Sequence, residues 1–193
     1  TGVAGVIAAK DDSFGVVGVA PGARLWAVRG LGKNNRGSLA NVLCGIDWVT
    51  STRTDSDPSN DIAVANMSVA TKGRDDGNCG LTRKDPLHQA ICRSVASGVT
   101  HVAAADNFGV DFAGTIPAAY DEVLTATAMT DTDGQPGSAG PDQIVFNGTV
   151  CPSTFQVQDD SAVSFSNFAT NGAPCPPAAM SRVRRSDTTG RPV

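Results

Sequence analysis

Asp85-Pro86-Leu87-His88-Gln89-Ala90-Ile91-Cys92-Arg93-Ser94-Val95-Ala96-Ser97-Gly98-Val99-Thr100-His101-Val102-Ala103-Ala104-Ala105 holds a helix and a strand back to back. Proline suits a first helical position, and Leu87, Ala90, Ile91 and Val95 recur at helical spacing as one apolar stripe. Gly98 ends the helix. Val99 to Ala105 is then a short apolar run, the pattern of a strand buried in a parallel sheet. A helix that leads straight into a buried strand is the repeating unit of an α/β domain.

The alternation continues on both sides. Ile62-Ala63-Val64-Ala65-Asn66-Met67 is predicted as a strand covered on both faces. Before it, Ser38 is a plausible N-cap, and Leu39, Val42, Leu43, Ile46 and Val49 keep helical spacing up to Ser51. Arg24 to Val28 reads as a strand after the Pro21-Gly22 turn, and residues 1–9 as a helix. Val123 to Ala128 is a further buried strand. Thr52 to Asp61 and the stretch holding Gly73, Asp75, Asp76, Gly77 and Gly80 are loops. The expected architecture is α/β around a mainly parallel sheet with right-handed crossovers. From about Asn171 neither periodicity survives, and the Pro- and Arg-rich tail is expected to stay unpacked.

Composition excludes several classes of function. The 193 residues are 40% hydrophobic and 18% charged, as in an ordinary globular domain. A net charge of −4 leaves no basic face for nucleic acid, and no run reaches the roughly 20 apolar residues of a membrane helix. Five cysteines (Cys44, Cys79, Cys92, Cys151 and Cys175) without a C-x-x-C pair argue for a secreted disulfide protein over a metal site. Cys79 and Cys92 are the first pair to test. Asn147-Gly148-Thr149 is a glycosylation sequon, consistent with export.

Several short strings occur in one order: Thr1 to Gly5 with Gly15 to Pro21, Gly37-Ser38-Leu39, Asn66-Met67-Ser68, Ala103 to Asn107, and Ser164 to Phe168. Together they resemble the subtilisin-like serine protease family. The resemblance implies a three-layer subtilisin-like α/β fold, incomplete at both ends, with a partial peptidase domain over residues 1–168 and an irregular tail over 169–193. It also implies acyl transfer by a Ser/His/Asp triad whose three positions lie outside these 193 residues. This polypeptide alone is therefore expected to be catalytically incomplete. The alternatives are a non-catalytic module for extended peptides or a decayed protease remnant.

Individual residues follow from the same resemblance. Asn107 stands where the family's asparagine donates to the developing oxyanion; by local sequence alone it is an ordinary turn residue. Asp106 replaces the family's glycine, placing a carboxylate beside that charge. Gly37, Ser38 and Leu39 match the segment that pairs with an extended substrate, and Ser68, Val69, Ala70, Ala104 and Ala105 match its other contacts. Ala70 and Thr71, where the family has glycines, either narrow or block that wall or are accommodated by a shift of the loop. Lys10, Asp12, Phe14 and Val16 match a calcium loop, and a structural calcium ion is expected only in the intact parent, with no cofactor needed for chemistry. His88 and His101 sit outside the base's motif and read as structural. The implied setting is extracellular, as a monomer acting on extended protein or peptide substrates, with a prodomain in the parent.

Overall fold

The computed structural model describes residues 2–131, 133–137, 140, 159–163, 165–169 and 184–185. The Asn147 sequon, Cys151, Cys175, Ser164 and most of the tail lie outside them. The chain divides into two compact units, Thr1–Val28 with Ala179–Val193, and Arg29–Ala178.

In the first unit, α1 (Gly2–Ala8) leads through a turn to β1 (Val16–Val17). Gly18 is wedged against the helix end. A Cβ there would lie 2.5 Å from the Ala9 nitrogen, so only glycine fits. Arg24 to Val28 does not form the expected strand, and Leu25, Trp26 and Val28 are exposed. A strand needs a ladder partner, which an apolar pattern cannot supply by itself. Instead, the Arg24 guanidinium sits 5.6 Å from the Trp26 ring centroid. In the tail, Arg184 and Arg185 form β7 (Arg184–Arg185), antiparallel to β1.

The second unit carries the α/β core. Helix α2 (Leu39–Ser51) begins at Ser38, whose side chain accepts from the Asn41 N–H at 3.2 Å. Strands β2 (Val64–Met67), β4 (Thr100–Ala104) and β6 (Val123–Ala126) make a parallel sheet in the order β2-β4-β6. Between them, α3 (Pro86–Ala96) is capped by Asp85, which accepts from Leu87 N–H at 3.0 Å and His88 N–H at 3.3 Å. A small antiparallel pair, β3 (Thr71–Lys72) with β5 (Thr115–Ile116), is interleaved with the sheet in sequence, β3 between β2 and β4 and β5 between β4 and β6. Gly73 continues β3 so closely under Ile116 that any Cβ would meet its side chain.

Both helices feed one core: Ile46 of α2 and Leu87, Ala90 and Ile91 of α3 pack with Met67, Ala103, Ile116, Tyr120 and Val123. The opposite side of the sheet differs from expectation. Val64 is 57% and Leu124 42% exposed, so β2 is packed on one face among the described residues, not two. Run length alone cannot tell one covered face from two when alanines interrupt the larger apolar side chains.

Candidate active-site edge of the sheet

Parallel strands send their carboxyl ends to one edge, and ligands of open α/β sheets bind there. Register puts Met67 opposite Ala103 and Ala103 opposite Thr125, so the segments after β2 and β4 leave the sheet side by side. Ser68 to Ala70 follow β2. Ser68 Oγ accepts from Asn66 Nδ2 at 3.3 Å, Val69 packs on the core, and Ala70 is exposed. Ala104 ends β4 exposed, whereas Ala105 is buried and donates its N–H to Ala126 O at 2.9 Å. Asn107 follows, exposed.

The loop around Asn107 is held by a residue to which the sequence assigns no role. Asn167 is fully buried, and its Oδ1 accepts from Phe108 N–H at 3.0 Å and Val110 N–H at 3.2 Å. Its backbone N–H donates to Asp106 O at 2.9 Å, and Gly109 N–H donates to Phe165 O at 2.8 Å. Asp106 adopts φ of +80°, the left-handed region that favours glycine. Its Oδ1 accepts the Asn107 N–H at 2.9 Å, which occupies a backbone donor next to the candidate oxyanion position.

The other sequence-derived positions fall elsewhere. Extended backbone ends at Ser38 (φ −83°, ψ 153°), and Leu39 is already helical. Gly37 lies against Gly30, because a Cβ there would stand 2.3 Å from Gly30 O. In the other unit, Asp12 Oδ1 accepts the Phe14 N–H at 3.0 Å as a local turn, Lys10 and Phe14 are exposed, and Val16 belongs to β1. The structure therefore brings Ser68, Ala104, Ala105 and Asn107 to one sheet edge, and describes Lys10, Asp12, Phe14 and Val16 in the separate N-terminal unit.

Comparison with known proteins matches residues 1–178 to the model of the subtilase family (peptidase S8). The chain belongs to the subtilase family. It is 32% identical over 173 residues to minor extracellular protease Epr of Bacillus subtilis, covering 88% of this chain and 24% of the relative. It is 36% identical over 177 residues to a thermostable alkaline protease of Halalkalibacterium halodurans, covering 88% and 43%. With subtilisin DY of Bacillus licheniformis it shares 37% over 132 residues, covering 67% and 42%. This subtilase chain thus spans less than half the length of those three relatives. A solved protease structure from Pseudoalteromonas arctica superposes with a TM-score of 0.59 at 24% identity, over 88% of this chain and 40% of that one, which shows the same subtilisin-like α/β fold.

Both histidines of this subtilase are buried, in different surroundings. His101 on β4 is fully enclosed with neither ring nitrogen hydrogen-bonded, and burial lowers its pKa from 6.5. His88 on α3 stacks flat on Tyr120, ring centroids 4.0 Å apart at 7°. Burial first, then the 2.6 Å hydrogen bond to Asp85, pushes the Tyr120 hydroxyl pKa well up. Cys79 and Cys92 are joined as a disulfide, with Cα atoms 5.9 Å apart. Cys44 is free and exposed.

Proposed function

We propose that this chain is part of a secreted subtilisin-like serine endopeptidase, in which Asn107 donates to the oxyanion of the acyl-transfer intermediate. The observation that carries the reading is the position of Asn107. It leaves the carboxyl end of β4 beside the segment after β2, in a loop clamped by buried Asn167. A donor carried on a clamped backbone has less to reorganise when charge develops, which favours electrostatic catalysis. Ser68 to Ala70, Ala104 and Ala105 line the same edge and supply main-chain contacts to an extended peptide, with Gly37 to Leu39 as a second strip. The Cys79–Cys92 disulfide and the extracellular relative support secretion. In the parent the enzyme works as a monomer matured from a prodomain, with structural calcium at the Lys10, Asp12, Phe14 and Val16 loop.

The 193 residues hold neither a His-Gly-Thr nor a Gly-Thr-Ser-Met string, so the isolated polypeptide is read as inactive. Incubation with casein and a peptide substrate checks this; hydrolysis blocked by a serine-directed phosphonate overturns it. In the full-length parent, Asn107→Ala lowers kcat by about 100- to 1000-fold. An unchanged kcat removes Asn107 from the site, and peptide binding without cleavage by that parent favours a binding module.

A further inference from the structure

Away from the sheet edge, the loop after β3 folds back on the start of α3. There Asp75 and Asp76 face the buried ring of His88, whose side chain is 1% exposed. His88 Nε2 lies 2.7 Å from Glu122 Oε2, and a carboxylate can only accept, so Nε2 carries the hydrogen. The other nitrogen, Nδ1, has no hydrogen-bond partner. It stands 3.6 Å from Asp76 Oδ1 and 3.7 Å from Asp75 Oδ1, beyond hydrogen-bonding reach of either. A ring nitrogen aimed at two carboxylate oxygens, touching neither, leaves room for one cation among the three.

We infer that Asp75, Asp76 and His88 Nδ1 form a binding site for a divalent transition-metal ion of the zinc class. Two ligand atoms each about 2.1 Å from a tetrahedral ion stand about 3.4 Å apart, close to both observed separations. The three ligand atoms all lie within 4.8 Å of one another. The supporting bonds are those of a metal site. Metal-bound histidines commonly give their other N–H to a carboxylate, as His88 does to Glu122. Asp76 Oδ1 accepts from Asn78 and Gly80 N–H groups and Oδ2 from Arg83 N–H, while Asp75 is fixed by Gly77 and Asp121 N–H groups. Each carboxylate is therefore oriented before an ion arrives. An imidazole with two carboxylates favours zinc, cobalt or manganese over calcium, which prefers six or more oxygens. The sulfurs of Cys79 and Cys92, on the Glu122 side of the ring, are tied in a disulfide and offer no thiolate. Asp75, with 18% of its side chain exposed, gives the ion its way in.

The test is equilibrium dialysis of the metal-stripped 193-residue chain against Zn²⁺, with Co²⁺ absorption as a probe of coordination. One equivalent of Zn²⁺ is expected, raising the unfolding temperature, with an intense visible Co²⁺ band and no displacement by excess Ca²⁺. His88→Gln and Asp75→Asn weaken binding at least about tenfold, and Glu122→Gln by about 10- to 100-fold. Should His88→Gln fail to fold, the two carboxylate variants decide. Absence of uptake by the unaltered chain overturns the site. Undiminished uptake by Asp75→Asn and Glu122→Gln overturns it equally and moves the ion elsewhere, for example to Asp131, Asp133 and Asp159.

Discussion

Asn167 donates its backbone N–H to the carbonyl of Asp106 at 2.9 Å, while its side chain reaches past Asn107 to hold the amides of Phe108 and Val110. One buried residue, about 60 positions later in the chain, thus fixes the loop on both sides of the candidate oxyanion donor. Asn167→Ala leaves two amides without their acceptor, at about 1–3 kcal/mol each where water cannot replace it. A fall in unfolding free energy of about 2 kcal/mol or more is expected from urea titration, with faster amide exchange at Phe108 and Val110. Unchanged exchange at both amides would show that the clamp is not needed.

Asp106 is the local misfit of this loop. Its φ of +80° costs a side-chain-bearing residue about 1 kcal/mol relative to glycine, although aspartate tolerates the region better than most. Asp106→Gly therefore stabilises the chain by about 1 kcal/mol by relieving strain, less what is lost from the Oδ1 bond to Asn107 N–H. In the full-length parent the same change removes a carboxylate beside the oxyanion, so kcat is expected to rise. A parallel loss of stability and kcat would mean that the Asp106 carboxylate orders the loop more than its charge harms it.

Much of this was readable beforehand, for definite reasons. Helix α3 was legible because proline at its start, Leu87, Ala90, Ile91 and Val95 at helical spacing and Gly98 at its end all agree. Cys79 and Cys92 were close enough in sequence to suggest their bond. Arg24 to Val28 was misread because a strand is a property of a pair, and one-dimensional pattern does not show the partner. The Asn167 clamp was illegible because its partners lie 57 and 59 residues away and its motif resembles any polar turn. Asp75 and Asp76 read only as loop residues for the same reason: only folding brings them to His88.

The disulfide closes a short loop around that same region. Cross-linking about 15 residues contributes about 3 kcal/mol, mainly by restricting the unfolded chain. The Cys79→Ser/Cys92→Ser double variant is expected to lose about that much in urea unfolding. Reduction of the unaltered protein by a dithiol should give the same midpoint shift. A loss below about 1 kcal/mol would show that Asp76, Asp85 and the Tyr120 stack hold the loop without the bond.

Asp76 gives this loop an acid limit. Burial alone would raise its carboxyl pKa, but amides of Arg83, Gly80, Asn78 and Thr82 outweigh it and bring the value from 3.8 down to about 2. Stability from Asp76 is complete above 3.8 and is lost as pH falls toward about 2, because the unfolded chain takes the proton first. Asp76→Asn removes that dependence, and acid titration of the two proteins by circular dichroism compares them. Superimposable acid transitions would show that Asp76 does not set the limit.

His101 sets a separate limit at milder pH. Its ring is fully buried with both nitrogens unpartnered, so the folded state disfavours the charged form and its pKa falls below 6.5. Above 6.5 both states are neutral at this residue and stability is undiminished. As pH falls from 6.5 toward the lowered folded value, the unfolded chain binds a proton that the folded chain refuses. Stability then declines by up to about 1.4 kcal/mol per pH unit, and the decline ends once the folded ring also protonates. His101→Leu puts a side chain of similar bulk between Ala65 and Val123, its register neighbours, and removes two unpartnered polar atoms. It is expected to stabilise the chain at neutral pH by about 1 kcal/mol or more and to abolish the dependence between pH 6.5 and the folded value. Urea midpoints across that range measure both effects. If the slope survives in His101→Leu, it belongs to another group.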